Sequence, residues 1–137
     1  MKELLYKSVY REVFYYPEIN LIELIYLEGS STYTDEEYKR ETNMFYAFFE
    51  ERKVEFYCVD SVQFDYIIIP EMQEWLKKTV TPVLIKHQLK KMAIITSADV
   101  FIRVSLRQMA DKITKEASLV EKKYFTSVQK AREWLVE

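Results

Sequence analysis

The chain has 137 residues, of which 49% are hydrophobic, 31% charged and 15% aromatic, with a formal net charge of -2. That length suits one domain with a real core, and that composition excludes a largely disordered chain. The slightly acidic balance gives no electrostatic reason to expect a nucleic-acid partner, and no apolar run approaches the roughly 20 residues of a membrane helix.

Residues 4 to 15, LLYKSVYREVFY, alternate Leu5, Val9 and Val13 with polar neighbours, and residues 19 to 27, INLIELIYL, are apolar on both sides of the pleat. With Pro17 and Asn20 at the join, they read as an antiparallel hairpin whose first strand is half exposed. Gly29, the only glycine, opens a turn with Ser30, Ser31 and Thr32. Thr34 and Glu37 then have capping-box spacing, so a helix is expected to about Lys53, with Tyr38, Phe45, Phe48, Phe49 and Arg52 as a stripe toward the sheet.

VEFYCVD, residues 54 to 60, is a short buried strand by length and composition. Pro70 starts a helix that carries Met72, Trp75, Leu76, Val80, Val83, Leu84 and His87 on one side, with a kink expected at Pro82 and Thr81. MAIIT, residues 92 to 96, is a further strand. A short helix over 98 to 104 should break near Ser105, where Ser105 and Gln108 offer a second capping box. KKYF, residues 122 to 125, is the last strand, and Thr126 with Gln129 caps a helix carrying Val128, Ala131, Trp134 and Leu135.

The expected fold is therefore a single α/β domain over 1–137, in the order ββαβαβαβα. Its mixed, mostly parallel five-stranded sheet starts with an N-terminal antiparallel hairpin, and right-handed crossovers pack helices on it.

The segments YCVDSVQFDYIIIPEMQEWL, KKMAIIT and KKYFTSVQKAREWLVE resemble STAS-like domains, the anti-sigma-factor-antagonist type. The likeness spans roughly residues 19 to 137 and is nearest to small bacterial members that end in an aromatic strand, a capped helix and a Trp-Leu pair. It implies helices against one side of a mixed sheet, used for partner binding or regulation and not for catalysis. Phosphorylation-controlled members have a Ser-Ser-Gly at the helix start, whereas this chain reads Asp65, Tyr66, Ile67 after Phe64. Neither a phosphoacceptor nor a kinase partner carries over.

Asp60 and Ser61 fall at the carboxyl end of an expected parallel strand, the edge where α/β sheets bind ligands. The neighbouring strands bring Thr96, Ser97 and Asp99, and Thr126 and Ser127, to the same edge. These residues could hold a small polar ligand, and the plainer reading makes each a turn former or cap. Phe64, Tyr66 and Ile67 to Ile69 occupy a loop where apolar groups either fold back onto the sheet or meet a ligand or subunit. The candidate binding residues are therefore Asp60, Ser61, Phe64, Tyr66, Ile68, Thr96, Ser97 and Asp99.

No catalytic or metal-binding signature accompanies them. His87 is the only histidine, Cys58 the only cysteine, and one glycine cannot supply a dinucleotide fingerprint or a phosphate loop. Glu36 and Glu37 adjoin the capping box and meet the helix dipole, and Lys77, Lys78, Lys86, Lys90 and Lys91 read as a solvated face. The expectation is a non-catalytic, cytoplasmic binding module with no cofactor and no membrane insertion, acting on a protein partner or small apolar ligand. Two rivals stand beside it: a homodimer formed through an aromatic surface, and an enzyme with Asp60 as base and Ser61 or Ser97 as the orienting or nucleophilic group. The enzyme reading lacks the activating base that a serine needs.

Overall fold

The computed structural model describes all 137 residues and shows an α/β fold with a six-stranded sheet in the order β1-β2-β3-β4-β5-β6. The strands are β1 (Glu3–Lys7), β2 (Arg11–Tyr16), β3 (Leu21–Tyr26), β4 (Phe56–Asp60), β5 (Lys91–Ile95) and β6 (Glu121–Phe125). β1, β2 and β3 pair antiparallel, and β3 to β6 run parallel. The helices are α1 (Asp35–Ala47), α2 (Pro70–Lys86), α3 (Val100–Glu116) and α4 (Val128–Leu135).

The count of five strands is corrected to six, because the expected strand over 4 to 15 is a hairpin. The turn contains none of the usual breakers. Ser8 makes it instead: its Oγ accepts from the amides of Tyr10 (3.1 Å) and Arg11 (3.3 Å), and its own amide bonds the Arg11 carbonyl at 2.9 Å. A 3-10 turn at 28–32 packs so closely on this hairpin that a Cβ on Gly29 would lie 2.2 Å from the Val9 carbonyl oxygen. Close backbone approach, and no positive φ, is why the one glycine sits there.

Thr34 caps α1 as its spacing predicts, its side chain accepting from the Glu37 amide at 3.1 Å. The break expected at Ser105 does not occur. Asp99 caps α3 by accepting from the Ile102 amide at 3.0 Å, and Ser105 lies inside the helix with its hydroxyl turned back to the Ile102 carbonyl at 2.9 Å. At the last helix the cap is Ser127, not Thr126, through the Lys130 amide. α2 continues through Pro82 to Lys86.

Because β3 to β6 advance one position at each crossover, α1, α2 and α3 all lie on one face. Their core is a cluster of 27 buried residues, including Tyr38, Phe45 and Phe49 of the aromatic stripe. The opposite face holds a cluster of six buried hydrophobic residues under α4: Leu21, Cys58, Ala93, Ile95, Ala131 and Leu135. An eight-residue helix cannot span six strands, so α4 packs mainly over β4 to β6, with Leu21 of β3 at its margin. No helix is long and apolar enough to cross a membrane.

Candidate functional site

The carboxyl edge of the parallel strands collects the residues that the sequence marks. Register places Asp60 beside Ile95, and the Ser61 amide bonds the Ile95 carbonyl at 2.9 Å, so the turns after β4 and β5 are neighbours. Most polar groups along this rim are committed locally. Asp60 Oδ1 accepts from the Val62 amide (3.1 Å), Ser97 Oγ accepts from the Asp99 amide (3.1 Å), and Thr96 hydrogen-bonds the Phe125 carbonyl through its amide at 3.0 Å. Ser61 is the exception: its hydroxyl has no partner and the residue is 0% exposed. A serine sealed in this way meets no external substrate, and no imidazole stands near it.

Burial raises the Asp60 carboxyl above its ordinary value, the Val62 amide opposes that shift, and the Glu23 carboxylate adds to it. Glu23 belongs to a polar tie on the α4 face. Arg132 Nη2 donates to Glu23 Oε2 at 2.6 Å and to the Tyr16 hydroxyl at 2.7 Å, anchoring α4 to β2 and β3. Burial, reinforced by Glu23, pushes the Cys58 thiol up to about 12, so Cys58 is an inert core group.

The loop 61–69 folds back in alternation. Phe64 and Ile68 are buried, Phe64 lying 4.0 Å from the Tyr26 ring centroid, whereas Val62, Ile67 and Ile69 face solvent. Tyr66 is intermediate: its ring lies 4.8 Å from that of Tyr38 and its hydroxyl bonds Asp35. Ser30 clamps the loop from below, its Oγ donating to the Gln63 carbonyl and accepting from the Asp65 amide. Of the eight candidate residues, Ser61, Phe64 and Ile68 therefore act as core, Thr96, Ser97 and Asp99 as turn and cap groups, and Asp60 and Tyr66 keep partial exposure.

The exposed apolar groups at this edge are others. Phe101 is 75% exposed, and Val100 and Val104 accompany it at the start of α3; Val62, Ile67 and Ile69, in the crossover that follows the adjacent strand β4, are exposed as well. Sequence spacing hid them, since an apolar group in the first turn of a helix reads as core.

A second constellation has no sequence signal beyond the period-two phase of β2. Arg11 on β2 is only 1% exposed and points into the main core. Its Nε donates to the Tyr33 hydroxyl at 2.8 Å and lies 3.1 Å from Glu41 Oε1 on α1. Tyr33 donates to the same carboxylate oxygen at 2.6 Å, and Tyr6 donates to the other at 2.5 Å. The Arg11 Cζ sits 5.1, 5.7 and 5.8 Å from the ring centroids of Tyr26, Tyr33 and Tyr38. Burial, only partly offset by Arg11, drives the Tyr33 phenol well above its ordinary pKa.

No group of three or more His, Cys, Asp or Glu side chains converges as metal ligands would. No family model, curated protein or solved structure matches this chain.

Proposed function

We propose that this chain is a non-catalytic binding module of STAS-like type that docks a protein partner through the carboxyl edge of its parallel strands. The observation that carries the reading is the contrast along that edge. The polar groups that could do chemistry are held in turns and caps or sealed, while Val62, Ile67, Ile69, Val100, Phe101 and Val104 stand out in solvent. Apolar groups gathered from two crossovers mark interaction surfaces more often than chance exposure.

The occupant is a protein and not a small molecule because Val62, Ile67, Val100, Phe101 and Val104 line none of the four main cavities, Ile69 alone bordering an open, largely charged groove with Asp35, Lys39, Glu71, Glu74 and Lys78, and a small apolar ligand needs a concavity to shed its water. The STAS-like assignment draws support from the one-way progression of β3 to β6 with α1 to α3 on one face, and from the segments quoted above. The lone thiol fits a reducing, cytoplasmic setting.

Capture from an extract of the source cell with immobilised wild-type chain, set against Ile69→Asp and Phe101→Asp, tests the reading. Both substitutions fall on exposed positions, so the fold survives and a genuine partner is lost. Light scattering at high concentration separates the rival: a dimer dissolved by the same changes makes the occupant a second copy of this chain.

A further inference from the structure

The edge that carries the exposed apolar groups also carries most of the chain's unbalanced charge. The turns after β3 to β6, with the first turns of the helices they lead into, comprise residues 27–38, 60–73, 96–103 and 126–131. Acids stand there in or beside the turns as Glu28, Asp60, Asp65 and Asp99, and in first helical turns as Asp35, Glu36, Glu37 and Glu71. Arg103 and Lys130 are the only cations in these segments. The edge is therefore formally -6 in a chain whose total is -2, which leaves +4 for the rest.

Neutralisation follows the same division. Of the 22 acidic residues, the fourteen away from this edge include nine matched to a lysine or arginine, as Glu41 is to Arg11 and Glu74 to Lys112. Of the eight at the edge only Glu37 is matched, to Arg40 just outside it. Asp60 accepts from the Val62 amide, Asp99 from the Ile102 amide and Asp35 from the Tyr66 hydroxyl. Glu28, Glu36, Asp65 and Glu71 are exposed, and their carboxylates take part in no ion pair. Helix dipoles favour Glu36 and Glu71 where they stand, but Asp65 sits in the middle of loop 61–69 with no such reason.

These carboxylates are interleaved with the apolar groups. Ile69 lines one groove with Asp35 and Glu71, Asp99 precedes Val100, and Asp65 lies two residues before Ile67. The Glu28 amide donates to Gln63, the neighbour of Val62.

We infer, on the docking reading proposed above, that the partner presents an apolar patch ringed by lysine and arginine. An anionic edge repels nucleic acid and anionic lipid. In a two-fold dimer through this edge the carboxylates would face those of the second copy, and like charges brought together oppose association. A basic protein face is steered in by the unmatched carboxylates and then held by the apolar groups between them.

A helical peptide of leucine and lysine with one apolar face, titrated into the full chain and followed by amide NMR, is the probe, and its leucine and glutamate counterpart is the control. The basic peptide alone should give saturable shifts at residues 62–69 and 100–104, with affinity falling as added salt shortens the screening length. Asp65→Lys with Glu71→Lys should weaken it about fivefold or more, since rim charges set steering and register. Glu121→Lys with Glu137→Lys makes the same change in net charge on exposed, unmatched acids beside the other end of the sheet, and should leave the affinity unaltered. Equal binding of the glutamate peptide, equal weakening by the two double variants, or no saturable shift at the rim would each overturn the inference. So would self-association of the chain that salt disperses, which makes a second copy the occupant. A captured partner lost with Phe101→Asp but kept by Asp65→Lys with Glu71→Lys removes the charge inference and leaves the docking edge standing, whereas a partner kept by Phe101→Asp removes the docking edge itself.

Discussion

Arg11 of β2 and Glu41 of α1 face each other inside the core, Nε to Oε1 at 3.1 Å, with side chains 1% and 0% exposed. They tie the antiparallel end of the sheet to the first helix. Removing one member of a buried pair strands the other charge, which costs about 3–5 kcal/mol. That is a large share of the roughly 5–15 kcal/mol that holds a domain together. Urea denaturation of Glu41→Gln should show this loss, whereas the double change Arg11→Met with Glu41→Leu should recover much of it. A double variant no more stable than the single one would mean that the tyrosine cage, and not the ion pair, dominates.

Gly29→Ala tests the packing of the N-terminal hairpin. The new methyl would meet the Val9 carbonyl oxygen at 2.2 Å, and backbone cannot yield as a side-chain tip can. Overpacking of this kind costs about 1–3 kcal/mol, read as a lower denaturation midpoint with an unchanged slope. A wild-type midpoint would show that the hairpin turn is not docked on the 28–32 segment.

Asp60 gives a signed pH dependence. Its folded pKa lies above the unfolded value of about 3.9, so the folded state favours the protonated carboxyl. The stability it contributes is present below that unfolded value and is lost as pH rises through the folded one. Asp60→Asn keeps an oxygen for the Val62 amide and removes the charge. It should therefore be more stable than wild type at pH 7, with the gain disappearing toward pH 3. A variant less stable than wild type at neutral pH would reverse the sign and contradict the burial account.

Cys58, buried and with its thiol pushed up to about 12, should resist a thiol-reactive disulfide reagent at pH 8 and react fully after denaturation. Stoichiometric labelling of the folded chain within minutes would show that the α4 face opens readily.

The alternation of apolar strands and helices is what made the parallel half of the fold readable, since each crossover has its own period and α1 and α2 have legible starts, Thr34 as a cap and Pro70 in the first turn. The hairpin inside 4 to 15 was concealed because Ser8 turns the chain by side-chain hydrogen bonding where a glycine, proline or asparagine would have announced it. At α3, Asp99 and Ser105 both had the chemistry of a cap, and only the helix geometry decides between them. Arg11 shares its pleat face with Val13 and Tyr15, so its inward position follows from period two, but a charge argues against burial until Glu41 and the tyrosines are brought to it by tertiary structure. At the candidate edge, the position was legible and the identity of the exposed groups was not. Loop 61–69 buries alternate residues, and that phase depends on Tyr26 and Tyr38 beneath it.

Amide hydrogen exchange of the chain with and without its captured partner tests the docking edge most directly. Protection concentrated at residues 62–69 and 100–104, and absent from that map in Phe101→Asp, is the predicted result. Protection confined to α4 or to the amino ends of the strands, with the rim exchanging at its free rate, would contradict it.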